Sequence, residues 1–88
     1  MRTLAIDYYG VIRRDDKLVE GAKESLARLS KDYNLIVFTT EDRTKAEQWL
    51  YANGIRLSVT NTKPVAVAYI DDRAFRFVNW YDTVKMFQ

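Results

Sequence analysis

Hydrophobic positions along this chain follow two spacings, one typical of buried strands and one typical of helices. Short apolar runs predict strands over residues 3–9, 34–39, 55–60 and 65–70, with an alternating edge strand over 75–78. Helical spacing predicts a second helix over 42–53, a closing helical turn over 81–87 and a first helix that carries Leu18, Ala22, Leu26 and Leu29. This alternation predicts an α/β fold with a parallel sheet and right-handed crossovers.

The main predicted strands each end in polar side chains. Asp7 ends the first strand, Thr39 and Thr40 end the second, and Asp71 and Asp72 end the last main strand. The carboxyl ends of parallel strands meet at one edge, where ligands bind beside the point at which the strand order reverses. A carboxylate at the tip of a buried strand is costly unless it is paired, metal-bound or reactive. The pattern therefore predicts a functional site at this edge.

Composition narrows the chemistry that these side chains can perform. The 88 residues suffice for a single domain over 1–88, and a net charge of +2 with mixed signs does not indicate nucleic acid. Cysteine and histidine are absent, so carboxylates, hydroxyls, lysine, arginine and tyrosine remain for catalysis or metal binding. We expect a cytoplasmic protein, because no apolar stretch reaches the ~20 residues of a membrane span and no signal-peptide pattern is present. A homo-oligomer is left open.

The motif around the double aspartate resembles that of a known family. Lys63-Pro64 followed by Tyr69-Ile70-Asp71-Asp72-Arg73-Ala74 is similar to the KP…YIDDRA block of short bacterial and phage hydrolases of the haloacid dehalogenase (HAD) superfamily. Asp7 after the first strand and Thr39 after the second fall in the order that this family shows. The resemblance covers nearly the whole chain. It implies a three-layer Rossmann-like (HAD-like) parallel sheet with flanking helices, minimal and without a cap domain.

The resemblance also implies a metal-dependent phosphohydrolase. Asp7 matches the aspartate nucleophile, which attacks phosphorus and forms an aspartyl-phosphate. The backbone carbonyl of Tyr9 and the carboxylate of Asp72 would hold Mg²⁺ together with Asp7, and Asp71 would support this arrangement. The physical logic agrees, because carboxylates that converge on one edge repel each other and a hard divalent cation relieves this repulsion.

Further residues are implied to contact the substrate. Thr39 would hydrogen-bond the transferred phosphoryl group, and Lys63 would neutralise charge on nucleophile and phosphate. Arg43 and Arg73 lie near the same edge and could reach an anionic substrate, although ordinary surface ion pairs are the favoured explanation for both. Thr40 is placed with Thr39 among the substrate-binding residues, and it is also expected to cap the second helix, a role that threonine performs well. Arg13 and Arg14 could guide an anionic substrate or lie in a solvated loop.

One position departs from the phosphatase pattern. HAD phosphatases read D-x-D-G-T, and their second aspartate protonates the leaving group and then activates water; here Tyr9 takes this place and Val11 replaces the threonine. Tyrosine is a poor base at neutral pH, and loss of such help typically costs ~10²–10⁴-fold in rate. Tyr9 also matches the D-x-Y-G-T motif of true dehalogenases. Those enzymes use a cap arginine and no metal, however, so this alternative is less favoured.

Two functions therefore follow from the sequence. The first is a Mg²⁺-dependent phosphohydrolase, slowed by Tyr9, whose uncapped site suits a bulky phosphorylated substrate such as a macromolecule. The second is a non-catalytic HAD-like domain that keeps the anion pocket and binds without turnover. Trp49, Trp80 and Tyr81 are expected in the core or in an interface rather than in a ligand site.

Overall fold

The computed structural model of the chain describes residues 2–62, 68–71 and 75–87. The predictions made for Lys63, Asp72 and Arg73 lie outside these ranges. Within them, the strands are β1 (Arg2–Asp7), β2 (Arg13–Arg14), β3 (Lys17–Leu18), β4 (Tyr33–Phe38), β5 (Ser58–Thr60), β6 (Ala68–Asp71) and β7 (Phe75–Arg76). The helices are α1 (Ala22–Leu29), α2 (Arg43–Ala52) and α3 (Trp80–Met86). No helix in the described ranges is long and apolar enough to cross a membrane.

The main sheet confirms the predicted parallel α/β arrangement. Its five strands lie in the order β5-β4-β1-β6-β7, and every neighbouring pair is parallel. The chain builds outwards from β1 through β4 to β5 and then returns to the other side of β1, so the strand order reverses between β1 and β6. The register places Ile6 beside Val37 and Ile70, which brings the carboxyl ends of all three strands to one edge.

Several element boundaries differ from the sequence predictions. β1 ends at Asp7 rather than at residue 9, because the carbonyl of Tyr8 turns to accept hydrogen bonds from the amides of Ile12 and Arg13. The polar loop that follows is a two-stranded antiparallel hairpin of β2 and β3. This hairpin includes Leu18, so α1 begins only at Ala22.

The ends of α2 explain two further boundaries. Asp42 is the N-cap, since its carboxylate accepts a hydrogen bond from the amide of Lys45 at 3.0 Å; the expectation that Thr40 caps this helix was wrong. Gly54 ends the helix as predicted, with φ +79° and the paired backbone bonds of a Schellman motif, Ile55 N–H to Leu50 and Gly54 N–H to Tyr51. This C-terminal structure uses residues 53–55 and shortens β5 to Ser58–Thr60.

The core surrounds β1 and is closed by α3. Leu4, Ala5 and Ile6 are all buried, as expected of a central strand covered on both faces. Trp80 is only 1% exposed, and its indole N–H donates to the buried carbonyl of Val11 at 2.8 Å. The prediction of a core tryptophan is confirmed for Trp80, but Tyr81, the next residue, is 74% exposed.

Candidate functional site

Asp7 lies half-buried at the carboxyl end of the central strand, beside the point where the strand order reverses. Its Oδ1 atom accepts a hydrogen bond from the amide of Tyr8 at 3.0 Å, which fixes the side chain at the strand tip. The carboxylate lines a cavity of about 220 Å³ between the loop that follows β1 and the segment that follows β7. Phe77 and Val78 form the far wall.

Thr39 occupies the equivalent position after β4 and is buried. Its Oγ1 atom accepts a hydrogen bond from the amide of Glu41 at 3.1 Å, so its hydroxyl proton remains available to donate. The Thr39 amide donates to Thr60 on β5. The side chain of Asn61 donates to the carbonyls of Thr39 and Glu41 at 2.7 and 2.8 Å. These contacts hold the loop after β4 in a fixed shape.

Asn61 was not predicted from the sequence. Its role depends on β5 pairing with β4, which brings its amide onto a loop twenty residues earlier in the chain. An asparagine directly after a predicted strand could have indicated a turn, but not which loop it holds.

The last main strand reaches the same edge. Asp71 is the final residue of β6, and β6 runs parallel to β1. The structure therefore brings Asp7, Thr39 and the backbone of Asp71 to one edge, as the strand pattern predicted. The described part of the chain contains no cluster of three or more carboxylates that could hold a metal ion. Hard oxygen donors are nevertheless present, and they fit Mg²⁺ in kind: the Asp7 carboxylate and the Tyr9 carbonyl, which accepts no hydrogen bond among the described residues.

The Tyr9 side chain points towards the hairpin. Its hydroxyl donates to the backbone carbonyl of Asp15 at 3.4 Å, and its ring packs edge-on against Tyr8 at 6.0 Å between centroids. The hydroxyl is thus engaged with the hairpin and not with Asp7. Tyr9 also lines the Asp7 cavity, so it contacts both the hairpin and the candidate site.

Arg13 is the centre of an aromatic cluster that sequence reasoning missed. Its guanidinium carbon lies 4.7 Å from the ring centroid of Trp49, 5.5 Å from that of Tyr9 and 6.0 Å from that of Tyr8. Tyr8 in turn packs edge-on against Trp49. Because Trp49 belongs to α2, the cluster joins the hairpin to the main domain.

Hydrogen bonds complete the Arg13 cluster. The guanidinium donates to the Tyr8 hydroxyl at 3.0 Å, to the Asp15 carbonyl at 2.6 Å and to the Asp16 carboxylate at 2.7 Å. The bond with the Tyr8 hydroxyl raises the pKa of Arg13, and partial burial opposes this rise. Because each of its three guanidinium nitrogens donates within the hairpin or to Tyr8, Arg13 has a structural role. The idea that it guides an anionic substrate is not favoured.

Arg14 has a different environment although it is the next residue. It lines the Asp7 cavity, and its guanidinium donates to the carbonyl of Gly10 at 3.1 Å. Arg43 forms the expected surface ion pair, with 3.8 Å between its Nε and Oε1 of Glu47. Thr40 is exposed beside Thr39. Of the predicted cations in the described ranges, Arg14 is therefore the one that lines the Asp7 cavity.

Comparisons with protein-family models, curated proteins and solved structures find no match to this chain. The resemblance to the HAD superfamily thus stands on the motifs alone.

Proposed function

We propose that the chain is a Mg²⁺-dependent phosphohydrolase of the HAD type, built on a three-layer Rossmann-like fold, with Asp7 as its nucleophile. The observation that carries this proposal is the position of Asp7: a half-buried carboxylate at the end of the central strand, beside the reversal of strand order, lining a cavity. Ligands of open α/β sheets bind at this place. Thr39 on the adjacent strand end supplies a hydroxyl donor.

The reaction would proceed in two displacements at phosphorus. An Asp7 oxygen attacks the phosphorus of a phosphate monoester, the bond to the ester oxygen breaks, and the alcohol leaves with a proton from water. Water then attacks the phosphorus of the aspartyl-phosphate, which releases inorganic phosphate and restores the carboxylate. Thr39 would donate its hydroxyl proton to a phosphoryl oxygen and so stabilise the charge that develops there.

The metal would be held by oxygen ligands from several strand ends. Asp7 and the carbonyl of Tyr9 are suitable donors in the described part of the chain, and Asp72, supported by Asp71, would complete the set. Bound Mg²⁺ supplies charge neutralisation between the nucleophile and the phosphoryl oxygens. Lys63 would add a further positive charge.

The placement of Tyr9 implies slow turnover. Its hydroxyl is engaged with Asp15, so leaving-group protonation and water activation fall to solvent. Absence of a positioned acid–base group typically costs ~10²–10⁴-fold. Dephosphorylation of Asp7 should suffer most, because it needs an activated water. We therefore expect the aspartyl-phosphate to accumulate during turnover.

The test is release of phosphate from an aryl phosphate over a series of Mg²⁺ concentrations, with Asp7→Asn as the inactive variant. Asp32→Asn is the matched control, because Asp32 is an exposed aspartate that precedes β4 at the opposite edge of the sheet. Mass spectrometry of the acid-quenched protein detects phosphate on Asp7. No turnover above the Asp7→Asn background, together with no adduct, would refute the proposal.

A second candidate is an anion-binding domain without turnover. The contact of the Tyr9 hydroxyl with the hairpin favours it, since no acid–base carboxylate then stands at this position. Tyr9→Asp separates the two candidates. A phosphohydrolase that lacks only its acid–base group should gain rate, whereas a binding domain should bind phosphate and stay inactive in both forms.

A further inference from the structure

A larger groove adjoins the Asp7 cavity. It has a volume of about 600 Å³ and lies between the start of α1 and the start of α3. Arg14 and Val78 line both the groove and the Asp7 cavity, so the two spaces meet at these side chains. The side chain of Val78, which is 71% exposed, lies between the two spaces.

The lining of this groove is mixed, with an apolar side and a polar side that includes Ser25 and Asn79. Val19, Val78 and Tyr81 line it, and Trp80 forms part of its base. Val78 and Tyr81 are among the exposed large hydrophobic residues of the described chain; Val78 precedes α3, and Tyr81 lies in its first turn. Exposed apolar side chains grouped around a concavity are typical of binding sites.

The Asp7 cavity and the groove differ in the charged side chains that line them. Arg14 stands at the junction, where it faces the side on which Asp7 would bind phosphate. Glu20 and Glu24 border the groove on the α1 side, and neither takes part in an ion pair within the described ranges. A second negative charge on the substrate would therefore be repelled from the groove, whereas an uncharged apolar group would not.

We propose that this groove binds the organic part of the substrate, on the condition that Asp7 binds its phosphate as proposed above. The substrate class is a phosphate monoester with an elongated, apolar or aromatic organic group that carries no second anion. The phosphate lies at Asp7, Arg14 faces its oxygens, and the organic group passes over Val78 to pack against the ring of Tyr81. Tyr81 is thus a specificity-determining residue.

The experiment compares three substrates. The first is phenyl phosphate, the second is 4-biphenylyl phosphate, which has one more apolar ring, and the third is 4-biphenylyl phosphate with a carboxylate at the 4′ position. We expect the KM of the biphenylyl ester to be roughly tenfold lower than that of phenyl phosphate, about the effect of one ring transferred to an apolar surface. The carboxylated ester should lose most of this advantage. In the Tyr81→Ala variant, the KM of phenyl phosphate should exceed that of the biphenylyl ester by about threefold or less.

Tyr51→Ala is the matched control. Tyr51 is 62% exposed and packs against one neighbouring cation, Arg56, much as Tyr81 packs against Lys85. It does not line the groove, so its removal should leave the KM ratio unchanged. Equal KM values for the phenyl and biphenylyl esters, or equal effects of the two tyrosine variants on the ratio, would overturn the inference.

A binding measurement separates this inference from the proposed activity. The same esters are titrated into the Asp7→Asn variant and followed by NMR. Tighter binding of the biphenylyl ester, lost with Tyr81→Ala, supports the groove even if the native chain hydrolyses nothing. Hydrolysis of all three esters with the same KM supports the proposed activity and refutes binding of the organic group in the groove.

Discussion

Replacement of Arg13 by methionine should destabilise the domain far more than its position in a surface hairpin suggests. The side chain is only 21% exposed and loses three hydrogen bonds together with its aromatic stacking. The bond to the Asp15 carbonyl is charge-assisted and contributes about 1.5–3 kcal/mol. Stacking on Trp49 adds ~0.5–1 kcal/mol, while the pair with the exposed Asp16 adds about 0–1 kcal/mol.

These contributions are not additive, and a loss of about 2–4 kcal/mol is expected for Arg13→Met. For a domain of this size, each kcal/mol lowers Tm by about 4–8 °C, so the melting temperature should fall by at least ~8 °C. Circular dichroism during heating and urea titration both measure the change. Arg13→Lys should give an intermediate loss, because an ammonium keeps the charge but lacks the planar fork.

Arg14→Met is the control for this prediction. It changes the adjacent residue of the same strand in the same way but removes a single exposed hydrogen bond to Gly10, so it should cost less than ~1 kcal/mol. If both variants lose the same stability, the aromatic cluster does not anchor the hairpin. If Arg13→Met leaves Tm unchanged, the reasoning about the hairpin is wrong altogether.

Three further changes test other parts of the structure. Trp80→Phe leaves a buried carbonyl without its donor and should cost ~2–3 kcal/mol in urea unfolding; a loss below 0.5 kcal/mol would contradict the buried bond. Gly10→Ala and Gly21→Ala should each cost ~1–2 kcal/mol, because both glycines have positive φ; unchanged melting temperatures would refute this. Thr39→Val should lower kcat/KM at least ~10-fold while Thr39→Ser retains most of it, since only the hydroxyl is needed; equal activities would remove Thr39 from the site.

Much of the fold could be predicted because it depends on local patterns. The apolar run before Asp7 required a buried strand, and parallel strands necessarily gather their carboxyl ends at one edge. Gly54 was predictable because helices commonly end in a left-handed residue. The cap of α2 was not, because Thr40 and Asp42 are both good capping residues and the exact start of the helix decides between them.

The site could be predicted only where its residues follow directly from a strand. Arg13 and Arg14 are adjacent residues of the same type, so the sequence alone does not distinguish them. Neighbouring side chains of a strand, however, face opposite sides. One therefore meets Trp49 on α2, and the other lines the Asp7 cavity. Trp80 and Tyr81 diverge likewise at the start of a helix, one into the core and one into solvent. Such differences depend on tertiary contacts that no local pattern encodes.

The position of β1 in the sheet has a consequence for synthesis of the chain. Leu4 pairs with Leu35 on one side but with Ala68 on the other, a strand made much later. When β4 emerges from the ribosome, one edge of the central strand β1 is paired and the other is open. An open apolar edge is a template for pairing with another chain. Nascent chains truncated before β6 should therefore aggregate or recruit chaperones, and the arrival of β6 should end that dependence.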